Sequence, residues 1–141
     1  MLQSTLAIIK PDAVARGLTG EILATCQAAG LAVAGLKMVR LCKGQASAFY
    51  AVHKERPFFA SLTEYMASGP VVCAVLRGEN AVARYRALMG ATDPARAEPG
   101  TLRHAYGQSL QANAVHGSDA PETAAVEIAF FFNALEIMES I

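Results

Sequence analysis

From Val71 to Leu76 the chain reads Val-Val-Cys-Ala-Val-Leu, with no polar residue in the run. A strand with one wet face alternates apolar and polar side chains, whereas an unbroken apolar run behind the breaker Ser68-Gly69-Pro70 belongs in the middle of a sheet. Other elements can be read around it. Ser4 to Ile9 is a strand ending at Lys10-Pro11, because proline disfavours helix at the residue before it. Thr19 or Gly20 opens a helix through Ile22, Leu23 and Cys26 that Gly30 stops. Leu31, Val33, Leu36 and Met38 mark a second strand whose alternation slips at Gly35, the mark of a bulge. Gln45 to His53 and Ser61 to Ala67 read as short helices on either side of Arg56-Pro57-Phe58-Phe59.

Beyond the central run, Asn80 is placed to cap a helix with Ala81, Val82, Tyr85, Leu88 and Met89 on one face. After Gly90 comes a long segment with Pro94, Pro99 and Gly100 and little periodicity before about Leu102, then a short strand. Uncovered loops of that length are usually functional or disordered. The last helix spans about Pro121 to Phe132, with proline in its first turn. At 100° per residue its core face collects Ala124, Ala125, Ile128, Ala129 and Phe132, and Glu127 falls off that face near its edge. Val126 and Phe130 lie opposite, an apolar pair pointing to a subunit contact. This order of elements alone can be drawn as a parallel, doubly wound sheet.

A length of 141 residues suits one domain, taken as residues 1–141. Twelve basic and twelve acidic residues cancel, which argues against nucleic acid or an anionic membrane as partner. Cys26, Cys42 and Cys73 are odd in number and far apart, so neither a disulfide framework nor a zinc site is expected. The start of the chain lacks the pattern of a signal peptide, and no apolar run is long enough for a membrane span, so a cytoplasmic location is expected. The 53% apolar content is inflated by alanine, yet a surplus of apolar surface is also what an obligate oligomer carries.

The chemistry concentrates in Asn113-Ala114-Val115-His116-Gly117-Ser118-Asp119. Neutral imidazole can be half protonated near neutral pH and can carry a transferred group on one ring nitrogen. The same residues are also ordinary turn formers around a surface histidine. No phosphate-cradling G-x-x-x-x-G-K-[ST] sequence is present, and Gly17-Leu18-Thr19-Gly20 is too short to replace it. Any phosphoryl chemistry must use separated side chains, with Lys10, Arg86 and Arg103 as the candidate cations.

The chain closely resembles the nucleoside diphosphate kinases. Ile8-Ile9-Lys10-Pro11-Asp12-Ala13-Val14, Phe49-Tyr50 and Arg56-Pro57-Phe58-Phe59 look like blocks of that family, as do Ser68-Gly69-Pro70-Val71-Val72 and Gly78-Glu79-Asn80-Ala81-Val82. Gly90-Ala91-Thr92-Asp93-Pro94, Pro99-Gly100-Thr101-Leu102-Arg103 and the run around His116 follow in the family's order.

The resemblance implies a ferredoxin-like α+β fold, with a four-stranded antiparallel sheet in β-α-β-β-α-β order and helices covering one face. It implies that His116 is the nucleophile of a double displacement, phosphorylated on its pros nitrogen by a nucleoside triphosphate and discharged by a nucleoside diphosphate. Glu127 then orients His116, and Lys10, Arg86 and Arg103 neutralise phosphate charge. Thr92 and Tyr50 supply hydroxyls near the phosphates or His116, and Asn113 reaches the sugar or phosphates. Phe58 stacks on the base with little discrimination between bases or sugars. Ser118 bonds Glu127 or steadies the loop, Gly117 permits a tight turn, and Asp119 assists through water. Mg²⁺ is the implied cofactor, held mainly by the nucleotide's own phosphates. A homo-oligomer is implied, with a tetramer favoured by the short tail from Leu135 to Ile141 and a dimer or hexamer as alternatives.

Val126 and Ala105 depart from residues common in the family, which bears on assembly and not on the nucleotide site. Two other classes of function stay open: a non-catalytic nucleotide-binding module on the same fold, and a metal-dependent phosphohydrolase using His116 and Asp119.

Overall fold

The computed structural model describes residues 1–139; Ser140 and Ile141, the end of the tail just mentioned, lie outside the described residues. The apolar run is the heart of β3, Val71–Glu79. It pairs with β1 (Leu2–Ile9) and β2 (Ala32–Val39), and β4 (Val115–Gly117) completes the order β2-β3-β1-β4. Every pairing is antiparallel: Leu6 faces Val75, Val39 faces Val71, and Ile8 faces His116. The parallel arrangement that the element order permits is therefore excluded, and the core has the ferredoxin-like β-α-β-β-α-β connection.

The unbroken apolar run has a simple cause. Successive β3 side chains point to opposite faces of the sheet, and both faces are covered. Val72, Ala74 and Leu76, with Ala7 and Ile9 of β1, meet Ile22 and Cys26 of α2 (Thr19–Ala28) and Tyr85 and Met89 of α5 (Ala81–Met89). Val71, Cys73 and Val75, with Leu6 and Ile8, meet Ala46 of α3 (Lys43–Phe49), Met66 of α4 (Phe59–Met66) and Phe131 of α7 (Pro121–Phe131). The expectation of helices on one face thus holds for the crossover helices α2 and α5, and a second helical layer covers the other. Each such Val or Leu contributes roughly 1.5–3 kcal/mol relative to exposure. Among the described residues no helix is long and apolar enough to cross a membrane.

Several local expectations are sharpened. The bulge is real: Val33 pairs with Leu76 and Gly35 with Val75, which leaves Ala34 as the extra residue. The carbonyl so freed accepts from Met138 N at 2.7 Å. A Cβ on Gly35 would stand 3.1 Å from both Phe132 and the Glu136 carbonyl, so glycine here lets the C-terminal segment lie against β2. Gly30 ends α2 with φ +87°. Asn80 does not cap α5 with its side chain; it turns the chain out of β3 in the left-handed conformation (φ 51°), and Gln3 Oε1 accepts from Val82 N instead.

The face of α7 also differs from expectation. Ala125 and Ala129 are exposed, while Ala124 and Phe131 are buried and Glu127 is half-buried on the same side. With so many alanines the helix has no strong apolar stripe, and larger groups choose the face: Phe131 packs in the core, and Glu127 finds partners in His116 of β4 and Ser118 just beyond it. Val126 and Phe130 are exposed as read, with Phe130 resting against Phe49 and Phe131. Two short helices escaped the sequence reading, α1 (Pro11–Ala15) and α6 (Leu102–Tyr106). Each has barely more than one turn, too short for periodicity to register.

Candidate active site

Two neighbouring strands aim their ends at one cavity. Lys10 leaves β1 as His116 enters on β4, and the backbones are tied where Lys10 N donates to the Ala114 carbonyl at 2.9 Å. The cavity, about 460 Å³, is lined by Lys10, Tyr50, Phe58, Arg86, Thr92, Arg103, Asn113, His116, Gly117 and Asp119. Ser118 and Glu127, the other two residues singled out from the sequence, stand behind the histidine.

That second row decides the chemistry of the imidazole. His116 Nε2 lies 3.0 Å from Glu127 Oε1, and Ser118 Oγ donates to the same oxygen at 2.7 Å while accepting from Leu6 N at 3.2 Å. Burial alone would push the Glu127 carboxyl up; the hydrogen bonds and charge of His116, the Ser118 hydroxyl and nearby His53 together hold it below its ordinary value. A carboxylate there accepts a hydrogen bond from Nε2–H, which keeps the proton on that nitrogen and leaves Nδ1 as the lone-pair nitrogen. The ring meets its neighbours Phe49 and Tyr50 edge to face, with centroids 5.5 Å and 6.2 Å away.

The cations are held at different depths. Lys10 is buried, and desolvation, followed by the charge of Arg103, lowers its pKa to about 8 against a pull upward from Asp12. Its Nζ donates to the Gln111 carbonyl at 3.3 Å. Arg103, also buried, donates to the carbonyls of Gly90 at 3.1 Å and Val115 at 2.9 Å; burial lowers its pKa, and Arg86 adds to that. Arg86 is exposed and pairs with Asp119 at 2.7 Å, a contact of little worth for stability that an incoming phosphate can exchange. Asn113 Nδ2 donates to the Thr92 carbonyl at 2.9 Å, which fixes the loop that presents the Thr92 side chain. Tyr50 Oη, Asn113 Oδ1 and Arg103 Nε are buried without a hydrogen-bond partner among the described residues, and burial pushes the Tyr50 phenol well above its ordinary value. Buried polar groups of this kind usually find partners, so these are capacity a ligand can use. A histidine with a free lone pair, surrounded by cations and spare donors, suits transfer of a phosphoryl group.

Known proteins share this chain's sequence and fold. Residues 3–137 match the family model described as nucleoside diphosphate kinase. The chain belongs to the nucleoside diphosphate kinase family. A nucleoside diphosphate kinase of Desulfovibrio desulfuricans is 73% identical over 99% of this chain and 100% of its own length. The enzyme of that name from Nitrosomonas europaea is 60% identical over 96% of each chain. Among solved structures, the Aquifex aeolicus nucleoside diphosphate kinase superposes with a TM-score of 0.96 at 45% identity, covering 98% of this chain and all of its own. The Halobacterium salinarum enzyme, solved in complex with CDP, gives 0.96 at 39% identity over 100% and 94% of the two chains.

Within this family's fold the candidate residues come together as a set, with two corrections. Gly117 makes no turn. It sits in β4, where a Cβ would stand 2.6–2.8 Å from Met89 and the Tyr85 ring, so its role is to let α5 pack against the strand carrying His116. Glu127, read as falling off the core face of α7 near its edge, is on the sheet-facing side, as its bond to His116 requires. Sequence reading missed Leu110, an exposed apolar loop residue that lines the cavity together with Phe58, and His53, whose ring lies 5.7 Å from that of Phe58. The signal for Leu110 was present, since a large apolar side chain in an otherwise polar loop needs a reason to be there.

Proposed function

We propose that His116 carries a phosphoryl group between nucleotides in the nucleoside diphosphate kinase reaction, and that the twelve residues named above form its site. The observation that carries this reading is the brace behind the ring, Ser118 to Glu127 to His116 Nε2, which directs the nucleophilic lone pair to the pros nitrogen, Nδ1. Nδ1 attacks the terminal phosphorus of a nucleoside triphosphate. The bond to the bridging oxygen breaks, and a nucleoside diphosphate departs with that oxygen's electron pair. A second diphosphate then attacks the phosphohistidine with its terminal oxygen, and the N–P bond breaks in turn.

Phosphoryl transfer through a loose transition state asks the protein for position and charge neutralisation. Lys10 and Arg103 supply fixed positive charge at the buried end, Arg86 supplies exchangeable charge, and the Tyr50, Thr92 and Asn113 side chains supply hydrogen bonds. Asp119 is the only carboxylate lining the cavity among the described residues, and Arg86 engages it. These residues fit a magnesium ion brought in by the nucleotide, which would supply further charge neutralisation. At the mouth, Phe58 and Leu110 hold the base by stacking and apolar contact, which accept any base.

We read residues 1–141 as one cytoplasmic domain that works as a homo-oligomer, with a tetramer favoured over a dimer or hexamer. Exposed Val126 and Phe130 on α7, and exposed Leu36 and Met38 on the edge strand β2, support the assembly. A solution mass measurement checks it.

Incubation with magnesium and γ-labelled ATP is expected to yield an acid-labile, alkali-stable phosphoprotein that discharges onto any added nucleoside diphosphate and is absent from His116→Ala. Label that never forms, or that leaves only as free phosphate, would sink the reading.

A further inference from the structure

Two residues before His116 the backbone takes a conformation that alanine avoids. Ala114 has φ +74°; among the described residues only Asn80 shares a positive φ without being glycine, and asparagine tolerates it. Val115 N bonds back to the Asn113 carbonyl at 2.9 Å, closing a three-residue turn about Ala114. Such a conformation persists only where its surroundings over-determine it.

The surroundings come from α1. Asp12 Oδ2 accepts from Ala114 N at 3.1 Å, while Lys10 N donates to the Ala114 carbonyl at 2.9 Å, so both flanking peptides are gripped. Asp12 is itself braced from α4: the Tyr65 hydroxyl donates to Asp12 Oδ1 and accepts from Asp12 N at 3.0 Å. Asp12 and Tyr65 do not line the nucleotide cavity; they border a separate depression lined also by Pro70 and Ala112. Away from the cavity lining, they hold the segment from which Asn113 and His116 project.

We propose that Asp12, braced by Tyr65, is a positioning residue for phosphoryl transfer, locking the strained Ala114 turn that sets where His116 stands. The proposal deepens the reading of His116 as phosphoryl carrier and rests on it. Without the clamp, Ala114 relaxes toward negative φ, its flanking peptides rotate, and the Nδ1 lone pair moves away from its in-line position. A displacement of about an ångström is worth on the order of 100-fold in rate.

The test measures the single-turnover rate of phosphoenzyme formation from γ-labelled ATP and magnesium, with thermal unfolding alongside. Asp12→Ala is expected to slow that step roughly 10- to 100-fold. Asp12→Asn keeps an oxygen for Ala114 N and an amide donor for Tyr65, and stays within about threefold of the wild type. Tyr65→Phe shows a smaller loss than Asp12→Ala. The decisive variant is the double, Asp12→Ala with Ala114→Gly: glycine adopts positive φ without strain, so it restores most of the lost rate. An unchanged rate in Asp12→Ala, or a loss in a folded variant that Ala114→Gly leaves unrepaired, overturns the proposal. If Asp12→Ala does not fold, Tyr65→Phe with and without Ala114→Gly gives the same two outcomes, repair supporting the clamp and no loss or no repair overturning it. Wild-type protein that forms no phosphohistidine sinks the carrier reading as well, and is distinguished because it fails before any variant is compared.

Discussion

The two ends of the proposed nucleotide cavity are built on opposite terms. At the inner end Lys10 and Arg103 are each 7% exposed, and His116 is gripped through its ring nitrogen and through the pairing of β4 with β1. At the mouth Phe58 is 48% exposed and Leu110 63%, and the aromatic contact made by Phe58 is a tilted one with His53. The inner end has its charges desolvated and fixed before any ligand arrives, a costly arrangement in the free protein that is recovered when phosphate enters. Among the described residues the mouth offers apolar surface and no buried pair of donor and acceptor to read a base edge. One enzyme can therefore be exacting about phosphate and indifferent to base, because the two demands fall on different residues.

The sharpest way to break this contrast is to remove a fixed charge. Lys10→Met is expected to lower the rate of phosphoenzyme formation by roughly 10²- to 10³-fold. The same change should raise the thermal midpoint of the free protein by a few degrees, because a buried ammonium is replaced by an apolar chain of similar shape. Single-turnover labelling and thermal unfolding check the pair of outcomes; a variant that loses both rate and stability would mean the inner end is not held at a cost. Glu127→Gln tests orientation at the same end. The amide oxygen still accepts from His116 Nε2, but the charge that favours the positive ring is gone, so phosphorylation should slow by roughly 10²-fold.

The pH dependence follows from Lys10 and separates stability from function. Its pKa in the folded protein, about 8, lies below the ordinary 10.5. The unfolded chain therefore binds more protons between those values, and this group's contribution to stability rises as pH climbs from about 8 toward 10.5. Phosphate affinity moves the other way, since the lysine that should meet the phosphate loses its charge. The stabilisation that ATP and magnesium give the fold should narrow from pH 7 to pH 10 in wild-type protein, and Lys10→Met should show a flatter profile. Thermal unfolding with and without nucleotide across that range is the measurement.

How much of this was legible in the sequence follows the same division. Long or strongly patterned elements were readable: the Val71–Leu76 run, the Gly30 stop and the bulge at Gly35 each have a local physical cause. The residues lining the inner end were readable because the resemblance lies in short ordered blocks that carry them. What escaped was decided by distant partners. The face of α7 was misread because alanine marks no side, and Glu127 turns toward the sheet only because His116 and Ser118 are there. Gly117 looked like a turn residue until Tyr85 and Met89, some thirty positions earlier, were packed against it. The antiparallel direction of the sheet left no trace in the order of elements.

The smallest expected effect lies at the mouth and tests the comparison from its slack side. Phe58→Ala removes a stacking surface that is half in water already, so it should weaken nucleotide use by about 1 kcal/mol, roughly five- to tenfold in kcat/KM. Most of that should appear in KM, since stacking on the base is the same in the ground state and in the transition state. Leu110→Ala, which removes less surface, should cost less. The factor should also be nearly equal for adenine, guanine, cytosine and uracil nucleotides, because each presents a π face and none is read by hydrogen bonds. A Phe58→Ala variant that discriminated strongly between bases, or that lost kcat with KM unchanged, would show that the mouth is as tightly specified as the phosphate end. The contrast between the two ends would then have to be abandoned.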